Sequence, residues 1–168
     1  REQVNLTRFS LFFPEQREFF VENSGLFTFS DDISPQSRTG ASGRDFTFFH
    51  SRRIGLTAAG RPLPVLGGGR LTGHLGGTEL GVLNMQTAAS EAAAPENFTA
   101  VRFRRKIFGT SSVGGMFLTR ETTEGGGPYN RGYGVDANIS LFGSMMINSY
   151  VAVTDSPSPA GGGRPSGP

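Results

Sequence analysis

Tyr133-Gly-Val-Asp-Ala-Asn-Ile-Ser-Leu141 alternates without a break. Tyr133, Val135, Ala137, Ile139 and Leu141 are apolar, and Gly134, Asp136, Asn138 and Ser140 between them are small or polar. Successive strand side chains point to opposite faces, so the stretch reads as a strand with one apolar face and one wet face. After Phe142-Gly143-Ser144 the alternation resumes through Met145, Ile147, Val151 and Val153, with Ser149 the one polar member of that set. A register slip of one residue exchanges the faces of a strand, so the faces must match across the turn. A three-residue loop at 142–144 achieves this, setting Leu141 opposite Met145, Ile139 opposite Ile147 and Val135 opposite Val151. A two-residue loop would set Ile139 opposite Asn148. The stretch is therefore an antiparallel hairpin with a short glycine-containing loop.

Two further hairpins follow the same logic. Between Arg70 and Thr87, Gly76-Gly77 is a two-residue turn that aligns Leu71 with Val82, Gly73 with Leu80 and Leu75 with Thr78. The opposite face then carries Arg70, Thr72 and His74, with His74 across from Glu79. Between Phe98 and Arg120 the chain turns near Phe108-Gly109-Thr110. Val101, Phe103 and Ile107 share one face, and Arg102, Arg104 and Lys106 the other. The return strand sets Ser111, Val113, Gly115 and Phe117 on one parity. Phe46, Phe48 and Ile54 also share a parity, which predicts a strand from Phe46 to Ile54 and about seven strands in all.

The remaining segments are irregular. In residues 1–45, Phe pairs flank Pro14, which suits the first turn of a short helix that Asn23-Ser24-Gly25 would end. This segment either caps the sheet or folds inward like a plug. Residues 57–69, 88–97 and 121–130 read as loops, residues 46–154 as the β-meander, and residues 155–168, rich in Ser, Pro and Gly, as a disordered tail.

Composition narrows the function. A chain of 168 residues suits one domain. Its hydrophobic content, 36%, lies below the roughly 45–50% of ordinary globular domains, while 25 Gly and 15 Phe without a Trp point to a turn-rich β protein. There is no Cys, which excludes disulfides and thiol chemistry. The formal charge is +2, and Lys106 is the single lysine among 16 basic residues. No dense basic tract accompanies it, so no nucleic-acid partner is expected. The only histidines are His50 and His74, and no zinc-protease motif, nucleophile elbow or phosphate loop is present. No enzyme activity, cofactor or metal is expected. No run of 18 apolar residues occurs, so no membrane-spanning helix is expected, although barrel strands need only about 9–11 residues. The chain opens Arg1-Glu2-Gln3 without a signal-peptide pattern.

From Arg70 onward the connections alternate in length: 76–77 short, 88–97 long, 108–110 short, 121–130 long, 142–144 short. Tight turns at one end and long loops at the other, joining strands with one apolar and one polar face, are the pattern of an outer-membrane barrel. A soluble meander, barrel or binding module is the alternative. An odd strand count and a tail in place of a closing strand predict a fragment of a longer barrel.

Several motifs occur in order: Phe13-Pro-Glu-Gln-Arg-Glu-Phe-Phe-Val-Glu-Asn-Ser-Gly-Leu-Phe27, Phe49-His-Ser-Arg-Arg-Ile-Gly-Leu56, Arg61-Pro-Leu-Pro64, Gly68-Gly-Arg-Leu-Thr-Gly73 and Leu80-Gly-Val-Leu-Asn-Met-Gln-Thr87, then Asn97-Phe-Thr99, Ser111-Ser-Val-Gly114 and Tyr133-Gly-Val-Asp136. With them the chain resembles, over residues 8–154, a bacterial family of unknown function found C-terminal to carbohydrate-binding family 9-like domains. The resemblance implies a partial transmembrane β-barrel in the outer membrane, without implying catalytic residues. The binding module and later barrel strands of that family are not in this sequence. On this reading Val135, Ile139, Ile147 and Val151 face outer-membrane lipid. Arg70, His74, Glu79, Arg102, Arg104 and Lys106 line the lumen or polar face, where a carbohydrate or another small solute is the expected partner.

Overall fold

A computed structural model describes residues 17–22, 24–29, 48–57, 60–91, 93–123, 127–142 and 145–157. Among them six strands form one sheet: β1 (Val65–Leu75), β2 (Thr78–Thr87), β3 (Glu96–Ile107), β4 (Ser111–Thr122), β5 (Tyr129–Leu141) and β6 (Met145–Asp155). Their order in space is their order in sequence, and every neighbouring pair is antiparallel. The fold is all-β, an antiparallel up-and-down meander. Helix is confined, among the described residues, to the single turn α1 (Glu18–Val21) and the 3-10 turns Ser24–Phe27 and Ser51–Arg53.

Period-two alternation sets the registers. Leu141 pairs with Met145, Ile139 with Ile147 and Val135 with Val151, as face matching requires. Leu71 pairs with Val82 and His74 with Glu79 around Gly76-Gly77, where both φ angles are positive (54° and 78°). A two-residue hairpin turn of this kind needs that left-handed conformation, which glycine adopts without steric penalty.

Two expectations fail. Residues 48–54 are not a strand. Phe48 and Phe49 both pack toward the sheet, which alternation forbids in a strand, and Ser51–Arg53 winds as a 3-10 turn. Arg17 fixes that turn by donating to the carbonyls of Ile54 (2.8 Å) and Ser51 (2.9 Å). In the other direction, the expected 57–69 loop gives way to strand at Val65, so β1 includes Gly67, Gly68 and Gly69. The reason is local. A Cβ at Gly68 would stand 2.2 Å from the Asn84 carbonyl oxygen and 2.3 Å from Met85 Sδ. The low strand propensity of glycine hid a place where β1 needs no side chain. Six strands are therefore seen among the described residues where about seven were expected. Pro14, the expected helix start, Phe46 of the expected strand and most of the expected tail lie outside the described residues.

The core lies on one face of the sheet. Phe20, Leu26, Phe27, Phe29 and Ile54, with Phe48 and Phe49, pack onto Leu83, Met85, Ala100, Met116 and Leu118. The sheet receives them at glycines. A Cβ at Gly134 would meet the Phe29 ring at 2.6 Å, one at Gly132 the Phe48 ring at 2.9 Å, and one at Gly81 Leu26 at 2.9 Å and Phe27 at 3.0 Å. Each phenylalanine so buried contributes about 1.5–3 kcal/mol.

At the tight-turn end each hairpin reaches two residues further than the one before. Thr78 lies across from Arg105, two short of Ile107, and Ser112 across from Asn138, three short of Leu141 where its hairpin neighbour Ser111 ends one row earlier. Two residues are about 6.8 Å along the strands against about 9.6 Å across two strand spacings, a slope of about 35°. The slope follows the growing length of the strands, from 10 residues in β2 to 12 in β3 and β4 and 13 in β5. The long-connection end is level, with Thr87, Glu96 and Thr122 in one row. The described sheet has two edges, β1 and β6.

Candidate functional site

The two faces of the sheet are opposite in sequence polarity and in cover. On one face the rows Leu71–Val82–Val101–Phe117–Tyr133–Val153 and Gly73–Leu80–Phe103–Gly115–Val135–Val151 cross all six strands. They continue on β5 and β6 through Ile139–Ile147 and Leu141–Met145. No described residue from another element covers them. Val135 is 64% exposed, Val151 69% and Ile147 38%, and Ile139 is half-buried. Phe117 and Tyr133 touch ring to ring at 5.2 Å across adjacent strands. Thr78, Arg105 and Ser149 are the polar members of the next row toward the tight turns. At the long-connection end the apolar band stops at a polar network. Asn84 Nδ2 donates to Asn97 Oδ1 (2.9 Å) and Thr99 Oγ1 (2.8 Å), Asn97 donates to Gln86 (3.0 Å), and Arg131 Nε donates to Glu121 (2.8 Å).

A contiguous apolar patch of this extent is not left to water in a stable monomer. Such patches mark contact with protein or membrane, and each exposed Val or Leu forgoes about 1.5–3 kcal/mol of burial.

The other face carries Arg70, His74, Glu79, Arg102, Arg104 and Lys106, all on one parity. The structure brings three together: Glu79 accepts from Arg104 Nε at 2.7 Å, and His74 Nε2 lies 3.6 Å from the same carboxylate. Arg70 and Arg102 instead serve the protein itself. Arg70 donates to the Phe19 and Glu22 carbonyls and to the Glu22 carboxylate, holding α1 against β1. Arg102 is 1% exposed and forms a two-pronged pair with Asp136 (2.5 and 2.8 Å) beneath the Phe29 ring. Asp136 sits one row from Arg102, so the pair runs diagonally across β4 at Gly114. A Cβ there would lie 2.8 Å from the Arg102 guanidinium. Among the described residues, the buried atoms Arg102 Nε and Asn138 Oδ1 lack a hydrogen-bond partner. Lys106 is exposed beside the tight turn.

Reading strands one at a time missed Asp136 as the Arg102 partner and the glycine seats. The available signal was the polar parity of Asp136, shared with Gly134 and Asn138. A cleft of about 570 Å³ opens between residues 49–57 and the sheet, with Phe49, His50, Arg53, Phe98, Arg120 and Asn130 in its wall. Its floor is apolar, and Arg120 at its rim pairs with Glu96 (2.6 Å) over the Phe98 ring.

Among the described residues no three His, Asp or Glu side chains cluster as metal ligands, and no helix is long and apolar enough to cross a membrane. No protein-family model, no curated protein and no solved structure matches the chain.

Proposed function

We propose that these six strands are a sector of an outer-membrane β-barrel. The bare face meets lipid, the aromatic N-terminal segment lies on the lumen side, and the protein takes up or passes a small solute at the cell surface. One observation carries the reading. The face alternating Val, Leu, Ile and Phe has no cover among the described residues, while the face bearing Arg, Asp, Glu and His beside Leu83, Met85, Ala100 and Met116 holds the aromatic segment. A water-soluble sheet does the reverse, turning its apolar face to the core and its charges to solvent, whereas a membrane barrel turns the apolar face outward. The alternating loop lengths support the same reading, and so does the resemblance of the motifs to the barrel family found C-terminal to carbohydrate-binding family 9-like domains. The cleft walled by Phe49, Phe98, Arg53 and Asn130 suits a ligand with an apolar surface and hydroxyl or acidic groups, of which a carbohydrate is one. No catalytic role is proposed.

Substitution of a bare-face valine by arginine tests this. Val135→Arg and Val151→Arg add a charge at exposed positions, where a soluble protein tolerates it within about 0.5 kcal/mol. On a lipid face near mid-membrane the same change costs about 2–4 kcal/mol. Vesicle insertion of the full chain, measured by flotation, is expected to fall roughly 30-fold or more. Unchanged partition with improved solubility in water would favour a soluble binding module.

A further inference from the structure

Two features of the tight turns are unexplained by the fold itself. Phe108 and Phe142 are the two non-glycine residues with positive φ, at 36° and 52°, among the described residues. The left-handed region costs a bulky residue roughly 1–2 kcal/mol, and glycine or asparagine would satisfy either turn without it. Both side chains are also almost wholly exposed, at 92% and 95%. Each phenylalanine opens a three-residue turn of the same composition, Phe-Gly-Thr at 108–110 and Phe-Gly-Ser at 142–144. Each directly follows the last residue of its strand, Ile107 or Leu141, and both turns lie at the same end of the sheet. An aromatic side chain that strains its backbone and packs against nothing in the protein has its partner outside the protein.

We infer that Phe108 and Phe142 are interfacial anchors that enter the headgroup–acyl boundary of the leaflet adjoining the tight turns. The inference rests on the membrane reading above and adds to it which end of the sheet is lipid-anchored and by which residues. Lipid fits this end for two reasons. The apolar band is closed by hydrogen-bonded Asn, Thr, Glu and Arg at the opposite end, and on β5 and β6 it resumes beyond Ser149 through Ile139, Ile147, Leu141 and Met145 up to the turn at this one. Beside Phe108 on the bare face stands Arg105, exposed, where phosphate-bearing headgroups provide the complementary charge and a long basic side chain reaches them while its stem stays apolar. Arg105 then lies near the interface, where a basic residue on the lipid face costs only about 0–1 kcal/mol, against about 2–4 at the midplane.

The chain has no tryptophan, so Phe108→Trp, Phe142→Trp and Val135→Trp each create a sole tryptophan, excited selectively over the three tyrosines. The full-length variants are reconstituted in phosphatidylcholine–phosphatidylglycerol vesicles carrying bromine either high or low on the acyl chain. Trp at 108 and at 142 is expected to be quenched most by bromine near the headgroup, and Trp at 135 most by deep bromine. Phe108→Gly with Phe142→Gly suits both turns, keeps the circular dichroism of the sheet, and lowers vesicle affinity about a hundredfold or more through the lost burial of two rings. Deep quenching at 135 with Trp at 108 and 142 open to aqueous iodide overturns the anchors and leaves the membrane reading standing. Absence of bromine quenching at 135 overturns both.

Discussion

The buried pair between Arg102 and Asp136 offers the sharpest stability prediction. Asp136→Asn keeps the shape of the side chain and one acceptor, and removes the charge and one of the two bonds that now measure 2.5 and 2.8 Å. The guanidinium it leaves is 1% exposed and already lacks an acceptor at Nε. Water cannot reach it without lifting Phe29, which stacks over it at 5.6 Å. Removing one member of a buried pair typically costs about 3–5 kcal/mol. Asn retains one acceptor, so about 3 kcal/mol is expected, more than a hundredfold in the folding equilibrium. Arg102→Met with Asp136→Leu removes both charges and fills similar volume, and is expected to lie within about 1 kcal/mol of the starting protein. Urea unfolding in detergent micelles, followed by far-ultraviolet circular dichroism, measures all variants in one cycle. An Asp136→Asn cost below about 0.5 kcal/mol, the size of an ordinary surface change, would refute the claim that the aromatic segment seals this pair from water.

Other consequences are simpler to check. Gly134→Ala places a methyl 2.6 Å from the Phe29 ring, so a loss of about 1–3 kcal/mol is expected, and Phe29→Leu in the same chain should recover part of it; equal losses with and without the second change would place the strain elsewhere. Arg70→Ala removes the bonds to the Phe19 and Glu22 carbonyls, and limited proteolysis should then cut within residues 17–29 faster while the sheet remains intact. Glu79→Gln weakens the contacts to both Arg104 and His74 and should lower stability by about 1–2 kcal/mol in the same urea assay.

The registers were legible in the sequence because period-two alternation leaves one choice once a face is apolar. Val135 opposite Val151 and His74 opposite Glu79 follow from parity and turn length alone. Segments where the side chain is absent for a reason were not legible. Gly67–Gly69 reads as a loop by propensity, yet it is strand, and at Gly68 the β2 backbone stands where a Cβ would be. The shared parity of Phe46, Phe48 and Ile54 suggested strand, but the adjacent Phe48 and Phe49 both pack on the sheet, which only an irregular backbone allows. The Arg102–Asp136 pair joins residues 34 apart on strands that are not neighbours, so it emerges only once β4 is known to lie between them with Gly114 at the crossing. All six expected polar-face residues share a face, yet two of them hold the protein together. Which charges remain for a ligand depended on where the N-terminal segment docks, and no strand pattern encodes that.

The orientation of the two faces is best tested by thiol labelling, because the chain has no cysteine and each single substitution is a clean reporter. Val135→Cys and Val151→Cys mark the bare face, and His74→Cys and Lys106→Cys the polar one. With the chain folded in phospholipid vesicles opened to reagent on both sides, a charged maleimide should modify the cysteines at 74 and 106 and leave those at 135 and 151 unmodified until detergent is added. Equal labelling at all four positions before detergent would contradict the lipid-facing assignment of the sheet.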